Sequence, residues 1–274
     1  MKRVYGVMGY PVAHSLSPVM HNFWFQKLGI EGVYGCFEVK PEEFDNAVKG
    51  IKALGIRGIS ITIPHKERAL ELADEPQQAA LEIGAANTFS LEEGLLKAYN
   101  TDWIGVLKAF EEKKITLKGK RVVILGAGGA ARAVCYAIKQ AGAKELLIFN
   151  RTFEKAKRLA EKLKATAREW KTLSLAEGDV LINTTSVGLE SDETPVGEEV
   201  ISRFKIFMDI VYTPLKTKFL KIAEKYGVII DGLDMLIYQG AEQFKIWTGV
   251  YPPAREVREL LIKELEKRGK LEAG

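Results

Sequence analysis

Two stretches carry residues able to move a proton. SITIPHKE (60–67) ends an alternating apolar run and delivers Lys66 just after Pro64. NTDWIG (100–105) delivers Asp102 at the start of a helical pattern. An ammonium beside a carbonyl oxygen that is gaining negative charge can stabilise that charge and donate the proton. A carboxylate facing the ammonium orients it and favours its charged form. Residue type alone leaves a second meaning open for each. A lysine after a strand is also an ordinary solvated loop residue, and an aspartate at a helix start also complements the helix dipole.

A third stretch, RVVILGAGGAAR (121–132), has the spacing of a phosphate cradle. A buried run, Val122 to Leu125, leads into Gly126, Gly128 and Ala131, which match G-x-G-x-x-G/A at a strand-to-helix turn. Glycine there lets the backbone approach a pyrophosphate, and the helix that follows offers free N–H groups. The next strand, ELLIFNRT (145–152), ends on Asn150, Arg151 and Thr152, with Lys155 one turn on. An acidic residue at that strand end would bind a ribose 2′-hydroxyl. A basic one suits a 2′-phosphate, so NADP is expected over NAD. Arg151 and Lys155 would equally serve as a solvated helix start. INTTSVG (182–188) ends another strand in small and hydroxyl residues, a loop fit to pass under a ribose.

The stretch GYPVAHSLSPVMHN (9–22) offers anion-binding groups of another kind. Ser17-Pro18 reads as a helix start with Ser17 as the cap and Pro18 in the first helical position. Ser15 adds a second hydroxyl. A helix N-terminus flanked by two hydroxyls would hold a carboxylate.

The elements that must position these groups alternate. Strand-like 3–9, 33–39 and 57–63 are separated by helical 18–29 and 41–55, and 87–100 reads as a hairpin around Glu93-Gly94. A helix spans 102–114. A second βα series starts at 120, with strands near 145–149, 179–183 and 206–210. Helices at 234–249 and 254–268 close the chain, and the tail KRGKLEAG is expected to be loosely ordered. The fold class expected is therefore α/β in two domains.

Composition bounds the function. The chain has 274 residues, enough for two domains, with 47% hydrophobic and 28% charged residues. A net charge of +4 from 40 basic and 36 acidic residues gives no reason to expect a nucleic-acid surface. Two distant cysteines and three histidines argue against a disulfide framework or a metal site. No apolar run reaches membrane-spanning length and the start lacks a signal-peptide core. A reduced, cytoplasmic protein is expected.

GYPVAHSLSPVMHN, ITIPHK, GAANT with NTD, GAGGAAR, NRT, DIVYTP and YQGAEQF occur in the order found in shikimate dehydrogenases, from residue 9 to about residue 244. The chain resembles that family along nearly its whole length. The resemblance implies NADPH-dependent, reversible reduction of 3-dehydroshikimate to shikimate, within aromatic amino-acid biosynthesis. It implies an N-terminal α/β substrate domain with a mostly parallel sheet, made of 1–101 and 238–274, and a Rossmann-type NADP domain at 102–237. It places Ser15, Ser17 and Tyr212 at the substrate carboxylate, and Thr62, Asn87 and Gln239 at the ring hydroxyls. Lys66 and Asp102 become the catalytic pair.

On the cofactor side the same resemblance implies Gly126, Ala127, Gly128, Gly129, Ala130, Asn150, Arg151, Thr152 and Lys155. It adds Thr184, Thr185, Ser186, Val187, Ile210, Gly232 and Met235. Partners would be the small-molecule substrate and the cofactor, with no metal, and the family includes monomers and homodimers. One position departs from the pattern: Ser60 stands where many relatives carry Asn, which leaves its part in substrate binding open. The alternatives are an enzyme of the same fold that prefers quinate or NAD, and a non-catalytic sensor of NADP and a small acid. The sensor would have no need of both Lys66 and Asp102.

Overall fold

A computed structural model describes residues 2–189 and 191–271. By their contacts the residues group into two units, Met1–Asp102 with Ile237–Leu261, and Trp103–Leu236 with Ile262–Gly274. The sequence expectation assigned the last stretch, from 262 on, to the first unit. Part of the expected loose tail, 272–274, lies outside the described residues.

The first unit contains β1 (Arg3–Gly9), α1 (Ser17–Lys27), β2 (Gly32–Glu38), α2 (Phe44–Leu54), β3 (Gly58–Ile61) and α3 (Lys66–Leu72). It continues with β4 (Glu75–Pro76), α4 (Gln78–Ile83), β5 (Thr88–Glu92) and β6 (Leu95–Tyr99). Its sheet runs β2-β1-β3-β5-β6-β4. β1 pairs in parallel with β2 and β3, and β4 with β6. β5 is antiparallel to both β3 and β6, as the expected hairpin at Glu93-Gly94 requires. Ile59, Ile61, Phe89, Leu96 and Ala98 cover one face of this sheet, packed on Phe44, Val48 and Ile51 of α2. β3 is buried at all four positions, Ser60 included, as befits a strand inside the sheet.

The second unit holds β7 (Arg121–Leu125), α6 (Gly129–Gln140), β8 (Glu145–Asn150), α7 (Phe153–Leu163), β9 (Thr166–Glu169) and β10 (Val180–Asn183). α5 (Asp102–Glu112) precedes them. α8 (Glu198–Ile201), β11 (Ile206–Asp209), α9 (Lys218–Ala223) and β12 (Val228–Ile230) follow. Its six-stranded sheet runs β12-β11-β10-β7-β8-β9 and every pairing is parallel. Numbered within the unit, that is the doubly wound order 3-2-1-4-5-6 read from the other edge, with the reversal between β7 and β10. Val123, Leu125, Leu181, Phe207 and Phe219 form its core. α10 (Gly232–Thr248) and α11 (Val257–Lys267) end the chain. No helix among the described residues is long and apolar enough to cross a membrane.

Candidate active site

In the first unit, β3 ends at Ile61, two residues earlier than the apolar pattern predicts. The chain turns through Thr62 to His65, and Lys66 opens α3. Lys66 is therefore a helix-start residue and not a loop residue. His65 is fixed structurally: its Nε2 lies 2.7 Å from the Val39 carbonyl oxygen and its ring stacks on Phe44 at 4.2 Å. Burial pushes the His65 imidazole below its ordinary value, against the pull of that carbonyl. His65 thus anchors the turn while Lys66 leaves it in the opposite role.

Lys66 Nζ donates to Asp102 Oδ2 at 2.6 Å, with side-chain exposures of 14% and 6%. So enclosed an ion pair holds its geometry, because removing either partner strands a charge away from water. The other carboxylate oxygen, Asp102 Oδ1, accepts from Asn87 Nδ2 at 2.9 Å. Asn100, which the sequence reading used only as part of a motif, supports Asp102. Its Oδ1 accepts from the Asp102 N–H at 3.1 Å and its Nδ2 donates to the Ala85 carbonyl. An Asn two residues before a helix start was the available signal. Asn87 Nδ2 also lies 3.2 Å from Gln239 Oε1, so Lys66, Asp102, Asn87 and Gln239 form one cluster.

At α1 the structure shifts the expected cap by one residue. Leu16 is the cap position, Ser17 is already helical, and Pro18 follows in the first turn. Ser15 Oγ accepts from the Ser17 N–H at 3.2 Å, so Ser15 supplies the cap-like oxygen and keeps its own hydrogen to donate. Asn22 of α1 bonds both backbone groups of Tyr34 in β2. Ser60 is 6% exposed, accepts from Tyr34 Oη at 2.6 Å and donates to Gln243 Oε1 at 2.7 Å. Its hydroxyl is engaged by partners in the interior of the unit.

In the second unit, Gly126 adopts φ +112° at the end of β7, and a Cβ there would lie 2.6 Å from Thr184 Oγ1. Gly128 caps α6 with no side-chain bond, and a Cβ on it would meet open space. The first-turn N–H groups of α6 face that space uncapped, so the turn is shaped for a phosphate and the dinucleotide fit is good. At the end of β8, Asn150 Nδ2 donates to the Thr152 carbonyl at 2.8 Å and folds the turn so that Arg151 and Thr152 are exposed, with Lys155 in the first turn of α7. No acidic side chain occupies 150–152, so no carboxylate there would repel a 2′-phosphate. Glu154 is the acidic neighbour in that turn.

The loop after β10 is held from beneath. Thr184 Oγ1 donates to the Leu125 carbonyl at 2.7 Å. Asn183 Oδ1 accepts from Thr185 N and Oγ1, and Asn183 Nδ2 donates to the Val187 carbonyl at 3.2 Å and to Asp209 Oδ1 at 3.0 Å. Asp209 also accepts from Val211 N and Thr217 Oγ1. Burial pushes the Asp209 carboxyl up to about 7, against these bonds, which favour its ionised form. Neither Asn183 nor Asp209 was singled out from sequence as a support of this loop. Gly232 opens α10, where a Cβ would lie 2.4 Å from the Ile210 carbonyl oxygen; Met235 is buried, and Tyr212 follows β11.

Three family models match the chain. One described as the shikimate dehydrogenase substrate binding domain covers residues 7–89, one described as shikimate / quinate 5-dehydrogenase covers 108–210, and one described as the shikimate 5′-dehydrogenase C-terminal domain covers 232–262. The shikimate dehydrogenase (NADP(+)) of Pyrococcus abyssi is 46% identical over 268 residues, 97% of this chain and 99% of the relative. The Thermus thermophilus shikimate 5-dehydrogenase, solved with NADP(H) and shikimate, superposes with a TM-score of 0.89 at 38% identity, over 95% of this chain and 99% of its own. The Listeria monocytogenes shikimate 5-dehydrogenase, solved with shikimate and NAD, gives 0.85 at 35% identity, over 95% and 96%.

Proposed function

The chain belongs to the shikimate dehydrogenase family, and from that premise we propose that it reduces 3-dehydroshikimate reversibly to shikimate with NADPH, Lys66 and Asp102 being the catalytic pair. The observation that carries this is the enclosed Lys66–Asp102 contact at 2.6 Å, backed by Asn87 and Gln239. Ser15 and Ser17, at the start of α1, would hold the substrate carboxylate together with Tyr212. Among the described residues the hydroxyls of Ser17 and Thr62 have no hydrogen-bond partner, which supports their use on a ligand. Thr62, Asn87 and Gln239 would take the ring hydroxyls.

NADPH, when bound, supplies a hydride to the carbonyl carbon. The π pair of the C=O bond then moves to oxygen, and Lys66 donates a proton there, giving the hydroxyl of shikimate. Lys66 is left neutral and regains its proton from solvent, while Asp102 holds the amine in place. On the cofactor side the turn from Gly126 to Ala130, with Gly128 and Gly129 at its crest, would meet the pyrophosphate. Asn150, Arg151, Thr152 and Lys155 would meet the ribose phosphate. Thr184 to Val187, Ile210, Gly232 and Met235 would surround the nicotinamide end. Cys36 and Cys135 form no disulfide, which fits the reducing, cytoplasmic setting proposed for the enzyme.

Initial rates with shikimate or quinate, each paired with NADP or NAD, test the assignment. The expected result is fastest turnover for shikimate with NADP. Faster turnover with quinate or NAD would overturn the specificity proposed, and binding of NADP without turnover of any pair would replace the enzyme with a sensor.

A further inference from the structure

Behind the catalytic carboxylate lies a line of buried polar groups, four of which the proposed mechanism does not use. Tyr34 Oη donates to Ser60 Oγ at 2.6 Å, and Ser60 Oγ donates to Gln243 Oε1 at 2.7 Å. Gln243 Nε2 donates to Thr88 Oγ1 at 2.9 Å and to the Asn87 carbonyl at 3.0 Å. Thr88 Oγ1 donates to Asn87 Oδ1 at 2.7 Å, and Asn87 Nδ2 donates to Asp102 Oδ1. Tyr34, Ser60, Thr88, Asn87, Asp102 and Gln243 are each exposed by 6% or less, so water does not compete for these bonds.

The direction of every bond in the line is forced. A backbone carbonyl can only accept, so the Gln243 atom facing the Asn87 carbonyl is the amide nitrogen, and its oxygen faces Ser60. Ser60 must therefore give its hydrogen to Gln243 and take one from Tyr34. At the other end, the Thr101 N–H lies 2.8 Å from Asn87 Oδ1 and can only donate, which sets the Asn87 amide with its nitrogen toward Asp102. Thr88 accepts from Gln243 and so must donate to Asn87 Oδ1. Two backbone groups thus fix the polarity of five consecutive bonds, and such aligned bonds strengthen one another in a low-dielectric interior. The ring of Tyr34 is itself held, stacked on His21 at 4.3 Å.

We infer that Tyr34, Ser60, Gln243 and Thr88 form a positioning relay that, together with the Thr101 N–H, locks the amide of Asn87, so that Asp102 receives a donor on Oδ1 and presents Oδ2 to Lys66. Thr88 and Gln243 are positioning residues, since neither touches Lys66 or Asp102. A flipped Asn87 would set an amide oxygen against the carboxylate and loosen the Lys66–Asp102 geometry on which turnover depends. The relay rests on the functional assignment only through its effect on rate; its effect on Asn87 is independent of turnover.

Thr88→Val keeps the shape of the side chain and deletes the hydroxyl, and Thr88→Ser restores it. In Thr88→Val, kcat with shikimate falls by about tenfold while KM for NADP stays at its wild-type value, and Thr88→Ser recovers kcat to within about twofold of wild type. Side-chain amide hydrogen exchange of Asn87, followed by NMR without substrate, speeds up in Thr88→Val and returns to the wild-type rate in Thr88→Ser. Wild-type Asn87 exchange in Thr88→Val would overturn the relay, and so would a Thr88→Ser protein as impaired as Thr88→Val. Should Thr88→Val not fold, Ser60→Ala carries the test two links upstream. There the relay predicts faster Asn87 exchange, and an unchanged rate would overturn it.

Discussion

Lys66 and Asp102 are neighbours in space but 36 positions apart in the chain. Each is an ordinary surface residue type, and here the two are enclosed together. Asp209 is the contrasting case, an acidic group buried with neutral donors and, among the described residues, no facing cation. Burial pushes it up to about 7, and the bonds from Thr217, Val211 and Asn183 pull the other way. Above 3.8, the ordinary aspartate value, the unfolded chain ionises while the folded protein still keeps this proton. The contribution of Asp209 to stability is therefore complete below that value and is lost as pH rises through about 7. Asp209→Asn cannot ionise and does not follow this loss. The melting temperature of wild type minus that of Asp209→Asn should fall between about pH 5 and about pH 8. The same difference at both would show that Asp209 does not titrate as its burial requires.

At the scale of elements, the proposed site residues sit where strands stop. β3 stops before Thr62 and Lys66, β7 before the glycine turn, β8 before Arg151, and β10 before the hydroxyl loop. If the turn after β8 selects the cofactor by charge, Arg151→Ala should raise KM for NADP by about ten- to a hundredfold and leave KM for NAD within about twofold. Equal losses for both cofactors would place Arg151 in the folding of the turn instead. These strand ends were legible in the sequence because local physics writes them. Buried strands leave apolar runs, and Gly126 is required where φ is positive and Thr184 comes close. Boundaries were less legible: β3 is shorter than its apolar pattern, and α1 starts one residue before Ser17 could cap it. Least legible were the supports. Ser60 reaches Gln243 across 183 positions, and Asn183 reaches Asp209 across 26. A polar residue with a distant buried partner looks in sequence like one facing solvent.

At the scale of the whole molecule, the chain builds one unit, leaves it at Asp102, builds a second, and returns at Ile237. The elements that carry Lys66, Asp102, Asn87 and Gln239 thus come from both ends of this excursion, with Gln239 on α10 meeting Asn87 before β5. The six-stranded parallel sheet of the second unit is complete between the two crossings, in the strand order that accepts a dinucleotide at its reversal. The proposed roles make turnover depend on Lys66 of the first unit and on the glycine turn of the second, so one rate tests both. The decisive measurement is the rate of NADPH formation from shikimate and NADP by wild type and by Lys66→Ala, with NADPH binding measured in both. Proton donation by Lys66 predicts rapid turnover by wild type, a rate lower by about 10²–10⁴-fold in Lys66→Ala, and equal NADPH affinity. Turnover by Lys66→Ala at the wild-type rate would contradict it.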